Sequence, residues 1–140
     1  MGLLTILKNV CAILFGIADE LQLGDNMRGY LMVTALAELA SIVATFGAKT
    51  STAYSYAGLG DLLTTATSKG SHHHELGQKL ASGQFADISG EGVHTLKMVE
   101  KYHLFNNTAY PLYTLVNDIV ATPVNLKNLL DAYLKQLQAW

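Results

Sequence analysis

Apolar residues crowd the front of the chain. Leu3 to Leu21 is apolar on most sides, interrupted chiefly by the adjacent pair Lys8 and Asn9 before Asp19 and Glu20 close the run. Such a pattern predicts a long buried helix. Gly24-Asp25-Asn26 then reads as a turn, with Asp25 or Asn26 able to cap the next helix. Leu31, Ala35, Leu36, Leu39, Ile42, Val43 and Phe46 recur at spacings of three and four, predicting a second helix from Met27 to Phe46 that stops at Gly47. The tight turn predicts that these two long helices pack as an antiparallel pair.

The later elements are shorter. Thr50 opens a third helix to about Ala57. Gly58-Leu59-Gly60-Asp61 breaks the pattern, and LLTTATSKGS reads as a short helix and a loop. Another helix runs from Ser71 to Ala81, then a loop from Gly83 to Gly90. Glu91 to Tyr102 places Val93, Leu96, Val99 and Tyr102 on one face. Pro111 suits the first turn of a helix ending near Ala121, and Pro123 opens another ending near Gln138. No alternating stretch is long enough for a sheet. The pattern predicts one all-α domain of about seven helices.

Composition narrows the partners. Of 140 residues half are hydrophobic, only 14% are charged, and the net charge is −2. No basic stripe offers a footprint for nucleic acid. The opening run falls short of a membrane span and carries its lysine inside rather than before it, which fits neither a spanning helix nor a signal peptide. Cys11 is the single cysteine, so no internal disulfide forms; a reducing, cytoplasmic setting is expected.

Candidate chemistry is sparse. Neither G-x-G-x-x-G nor a P-loop occurs. His72, His73 and His74 are consecutive, and neighbours on a helix point about 100° apart, so they cannot converge on one tetrahedral ion; a polar helix start is expected rather than a metal site. There is no nucleophile elbow, and Cys11 has no partnered histidine in sight. Lys8 remains, with Leu4, Cys11, Ala12 and Phe15 as same-face neighbours. Such a wall suits a general base or an anion clamp, although a lysine can also snorkel to the surface. Asp61 could pair with Lys8 or hold a substrate hydroxyl, and Ser71, His72 and His73 could donate to phosphate oxygens. Helix capping is the ordinary alternative for Asp61 and Ser71.

These residues fall in a recognisable order. LKNVCAILFGIADELQLGDN, AGLGDLLTTATS, GEGVHTLKMVEKY and YPLYTLVNDIV, taken in sequence, resemble the substrate domain of NAD(P)-dependent glycerol-3-phosphate dehydrogenase over nearly the whole chain. The resemblance implies the 6-phosphogluconate dehydrogenase C-terminal-domain-like fold and a place in glycerol phosphate metabolism and phospholipid biosynthesis. It implies that Lys8 accepts the proton of the substrate's secondary hydroxyl, that Asn9, Asp61, Thr65, Ser71, His72 and His73 contact the substrate, and that His72, Ser89 and Glu91 face the cofactor. It implies NAD or NADP, a phosphate-ester substrate, a homo-oligomer, and a dinucleotide-binding domain, expected to be absent from these residues and supplied by a separate domain or chain.

Two departures bear on the site. The family's Ser-Arg-Asn reads Ser71-His72-His73, replacing a fixed planar charge with imidazole. The hydrophobic position two before its glutamate is Ser89. Three readings are compatible with these residues: a substrate-binding domain with no turnover of its own, a helical binding or assembly module derived from it, and a phosphate-ester sensor built on Lys8, Ser71 and His72.

Overall fold

The computed structural model describes residues 3–47, 49, 51, 60 and 71–137. Six α-helices are delimited there: α1 Leu3–Glu20, α2 Asp25–Thr45, α3 His72–Ala81, α4 Glu91–Tyr102, α5 Pro111–Ala121 and α6 Leu126–Leu137. No strand occurs among the described residues. The expected helix at 50–57, the break at 58–61 and the Thr/Ser-rich stretch after it lie largely outside them, and so do Asp61 and Thr65.

Helix α1 is the axis of the core. Leu7, Val10, Ala12, Ile13, Leu14, Phe15, Ile17 and Ala18 are all buried, which covers every side of the helix beyond its first turn. α2, α3, α4 and α5 pack around it, and α6 lies on α5 and α3. The α1–α2 pair is antiparallel. Leu7, early in α1, lines a small pocket together with Ile42, late in α2; Asp19, late in α1, meets Arg28, early in α2.

The closest approach of α1 is to α3, a contact that periodicity alone does not predict. A Cβ placed on Gly16 would stand 2.0 Å from the carbonyl oxygen of His74, and one placed on Gly77 would stand 2.0 Å from that of Ile13. Each glycine thus lets the opposite backbone through, so the two helices touch main chain to main chain.

Local chemistry sets the helix ends, with three departures from expectation. The residue that caps α2 is Gly24, at φ 93°, with no side-chain cap, rather than Asp25 or Asn26. Only glycine accepts that backbone readily, and Asp25 instead stands in the first turn, where its charge suits the helix dipole. Pro123–Asn125 forms a 3-10 turn, so α6 begins at Leu126 rather than at the proline. Tyr102 leaves the buried face of α4 at its last turn and is 55% exposed, with the Lys101 ammonium 5.2 Å from its ring centroid. Elsewhere the expectations hold: Ser71 caps α3 by accepting from the His74 amide at 3.1 Å, and Pro111 opens α5.

The start of α5 is capped from outside. The Glu38 carboxylate, on α2, accepts from the Leu112 amide at 2.8 Å and the Tyr113 amide at 2.9 Å. Two orphan donors of a helix N-terminus are satisfied by a side chain more than seventy residues away. Burial nevertheless pushes the Glu38 pKa upward, against those two hydrogen bonds.

Among the described residues it is helix α2, and not the opening run, that is long and apolar enough to cross a membrane by length and composition. Its apolar side is used within the domain: Leu31, Ala35, Leu36, Leu39, Ala40, Ile42 and Val43 are buried in the core.

The glycine contact yields the first prediction. Gly77→Ala should destabilise the chain by on the order of 3 kcal/mol, since backbone must move to admit the methyl group. Gly29→Ala, at a helix position with nothing within 4 Å, should stabilise it by roughly 0.5–1 kcal/mol. Urea midpoints of the two variants measure both, and equal midpoints would contradict the packing argument.

Candidate functional site at the start of α3 and α4

The predicted site residues that the structure describes gather where α3 and α4 begin beside α1. Ser71 precedes α3, His72 and His73 open it, and Ser89, Gly90 and Glu91 lead into α4. The link to α1 runs through Asn9. A Cβ on Gly92 would lie 3.1 Å from the Asn9 carbonyl oxygen and 3.0 Å from the His73 ring. Lys8 is half-buried beside it, between the sealed positions Leu7 and Val10. Asn9, His72, His73, Ser89 and the backbone of Glu91 and Gly92 therefore belong to one neighbourhood, with Lys8 and Ser71 next to it in the chain. Asp61 and Thr65 are not placed in it, because they fall outside the described residues.

The three histidines diverge, as helix geometry demands, and each reaches a different partner. The His72 ring meets the Ser89 carbonyl oxygen through Nε2 at 2.9 Å. A carbonyl only accepts, so His72 donates from Nε2. The Gly92 amide donates to Nε2 of His73 at 2.9 Å. That nitrogen must therefore carry a lone pair, and a neutral His73 holds its proton on Nδ1. The two rings stand edge to face with centroids 5.4 Å apart. The Ser89 hydroxyl is engaged as well, donating to Asp87 at 3.3 Å.

His74 does something else. It is fully buried, and its Nε2 lies 2.6 Å from Oδ2 of Asp19. Asp19 is also gripped by Arg28 in a two-point fork, Nε to Oδ1 at 2.9 Å and Nη2 to Oδ2 at 3.0 Å. The Arg28 guanidinium in turn lies 5.6 Å from the Phe15 ring centroid. Donation from Nε2 leaves Nδ1 of His74 buried with no partner; a bare lone pair there is cheaper than a stranded N–H, which favours the Nε2–H tautomer. The Arg28 hydrogen bonds pull the Asp19 pKa below the ordinary aspartate value; burial opposes them and His74 adds to them.

This network joins α1, α2 and α3 at the far end of α1 from Lys8, eleven residues and roughly 16 Å along the axis. An open cleft of about 580 Å³ lies beside it, lined also by Gln22, Asp25 and Gln78. None of the predicted site residues lines it. The sequence offers no role for Asp19 or Arg28 and reads His74 as part of a polar helix start; the structure corrects that reading, because His74, Leu76, Gly77 and Leu80 share the buried face of α3. Burial first and Glu38 second push the Cys11 thiol up to about 12, which disfavours the thiolate a nucleophile needs.

Residues 1–131 match the family model described as NAD-dependent glycerol-3-phosphate dehydrogenase C-terminus. A glycerol-3-phosphate dehydrogenase (NAD(P)+) of Trichormus variabilis is 36% identical over 132 residues, covering 89% of this chain and 43% of the relative. One from Synechococcus elongatus is 36% identical over 121 residues, 81% of this chain and 39% of the relative. One from Deinococcus radiodurans is 32% identical over 117 residues, 81% and 36% respectively. The chain thus spans about two fifths of the length of the curated relatives it matches.

The Asp19 network yields a pH prediction. A carboxylate whose folded pKa is lowered stabilises the fold above its unfolded value and loses that contribution as pH falls through the folded value. The urea midpoint should therefore decline below about pH 4. Asp19→Asn should be less stable at neutral pH and should flatten that decline. An undiminished acid slope in the variant would place its origin elsewhere.

Proposed function

The chain belongs to the family of the NAD-dependent glycerol-3-phosphate dehydrogenase C-terminus, and from that premise we propose that it forms the substrate half of such an enzyme. The reaction is the interconversion of glycerol 3-phosphate and dihydroxyacetone phosphate. The observation that supports this reading most is the meeting of the Lys8-Asn9 segment with the first turns of α3 and α4. In this reading Lys8 takes the proton from the secondary hydroxyl while hydride leaves the same carbon. Asn9 orients the hydroxyl, Asp61 and Thr65 hold the glycerol portion, and the Ser71 end of α3 receives the phosphate, where backbone N–H groups and the helix dipole favour an anion.

The nicotinamide that takes the hydride belongs, in this reading, to the part of the relatives' length that this chain does not span. Two of the three residues expected to face it fit poorly as they stand. His72 is bonded to the Ser89 carbonyl, and the Ser89 hydroxyl to Asp87. The side chain of Glu91 lies outside the described residues. That engagement is also what favours a second reading, a binding or assembly module that keeps the fold and has lost the cofactor contacts. A cytoplasmic location is part of the proposal, resting on the lone, free Cys11. So is self-association, supported by Phe46 and Leu104, which are 49% and 47% exposed beside Phe105.

Turnover separates the two readings. The chain alone, given NADH or NADPH with dihydroxyacetone phosphate, should oxidise no cofactor beyond a Lys8→Ala control. Joined behind the remaining length of the Trichormus variabilis relative, it should turn over, and Lys8→Ala should then lower kcat by about a thousandfold. An inactive fusion that folds and binds cofactor would favour the assembly module, and a fusion indifferent to Lys8→Ala would remove Lys8 from the mechanism.

A further inference from the structure

The geometry points to His72 and His73 as positioning residues that clamp the Ser89–Gly92 turn, the entry into α4, from the start of α3. Two hydrogen bonds of opposite sense carry the clamp. His72 donates to the Ser89 carbonyl at 2.9 Å, and His73 accepts from the Gly92 amide at 2.9 Å. The Gly92 amide belongs to the first turn of α4, whose donors have no partner within the helix. Gly90 ahead of that turn offers no side-chain cap, so the imidazole of a neighbouring helix supplies one.

The turn is shaped to receive the two rings. Gly90 stands at φ 121°, and a Cβ there would come within 2.9 Å of the His72 ring and 3.1 Å of Nε2 of His73. A Cβ on Gly92 would come within 3.0 Å of Cδ2 of His73. The space a side chain would need at 90 and 92 is thus taken by imidazole. Position 73 has to offer an acceptor at the reach of Nε2. Arginine and lysine offer only donors, and the shorter asparagine of the family's motif ends before that point.

The clamp gives the departure from Ser-Arg-Asn a physical content. The two rings hold in place the turn that carries Glu91, and with it the rim on which, under the proposed function, substrate and nicotinamide meet. They act through that turn, not on the reacting atoms. The inference rests on the dehydrogenase reading only for what the rim serves; the clamp itself is read without any turnover, so one can fail without the other.

The consequence is a pair of adjacent histidines held in opposite neutral tautomers, Nε2–H at His72 and Nδ1–H at His73. Imidazole nitrogen-15 shifts of the full 140-residue chain at about pH 8 read this directly. In parallel, exchange of the Gly92 amide should speed up about tenfold in His73→Ala. His73→Gln, which brings an acceptor to nearly the same reach, should restore protection to within about threefold of the parent. Circular dichroism and the urea midpoint confirm that each variant is folded. An Nε2–H tautomer at His73, or Gly92 protection unchanged in folded His73→Ala, overturns the clamp. Failure of glutamine to rescue overturns it as well, because a merely space-filling role for the ring predicts no such rescue.

Discussion

The arrangement depends on a contact with no side chain on either helix at its centre. Gly16 and Gly77 let α1 and α3 meet backbone to backbone. With any larger residue at either point the helices would stand further apart, and the residues beyond the contact in each direction would move with them. Toward the C-terminus of α1, the contact brings the fully buried His74 onto Asp19 and thereby to Arg28. Toward the N-terminus of α1, it brings the first residues of α3 to the Lys8-Asn9 segment, with the Gly90–Gly92 turn packed against both. A structural network and a candidate site are the two ends of one helix crossing.

The histidine run shows how position along a helix divides roles among identical residues. Successive positions are turned about 100° from one another. His74 therefore faces the core and meets an aspartate, His73 meets a backbone amide, and the exposed His72 meets a backbone carbonyl. An arginine at 72 would carry a permanent charge and a five-donor fork. Imidazole gives a single directed donor, already bound to Ser89. In this chain the two imidazoles join the starts of two helices.

Much of the fold was legible along the chain because burial of a helix face leaves a period in the sequence. Ser71 as cap, Gly47 after α2 and Pro111 at the head of α5 were equally readable, since each acts through its own backbone or its nearest neighbours. The misreadings share one cause. Asp25 is a good cap by type, yet the turn needs the φ of Gly24 at the cap position and moves Asp25 into the first turn of the helix. Tyr102 continues the period of α4, but it stands at the last turn of the helix and is 55% exposed. Asp19 only closes the opening run in the sequence and Arg28 carries no reading there; they are partners across a turn, and the third member comes from 55 residues beyond Asp19. The site divided in the same way. Candidates for it come from the resemblance, but which of the described ones touch comes only from the structure.

The sequence by itself determined the helical class, most helix boundaries, the buried character of α1 and the family, because these depend on local propensity, periodicity and the order of short motifs. Only the tertiary structure decided that Glu38 caps a helix more than seventy residues away, that His74 is a core residue paired with Asp19, and that His72 and His73 hold the start of α4. Those outcomes turn on distances between segments far apart in the chain, set by how closely two glycines allow two backbones to approach. No pattern within a single segment carries that distance.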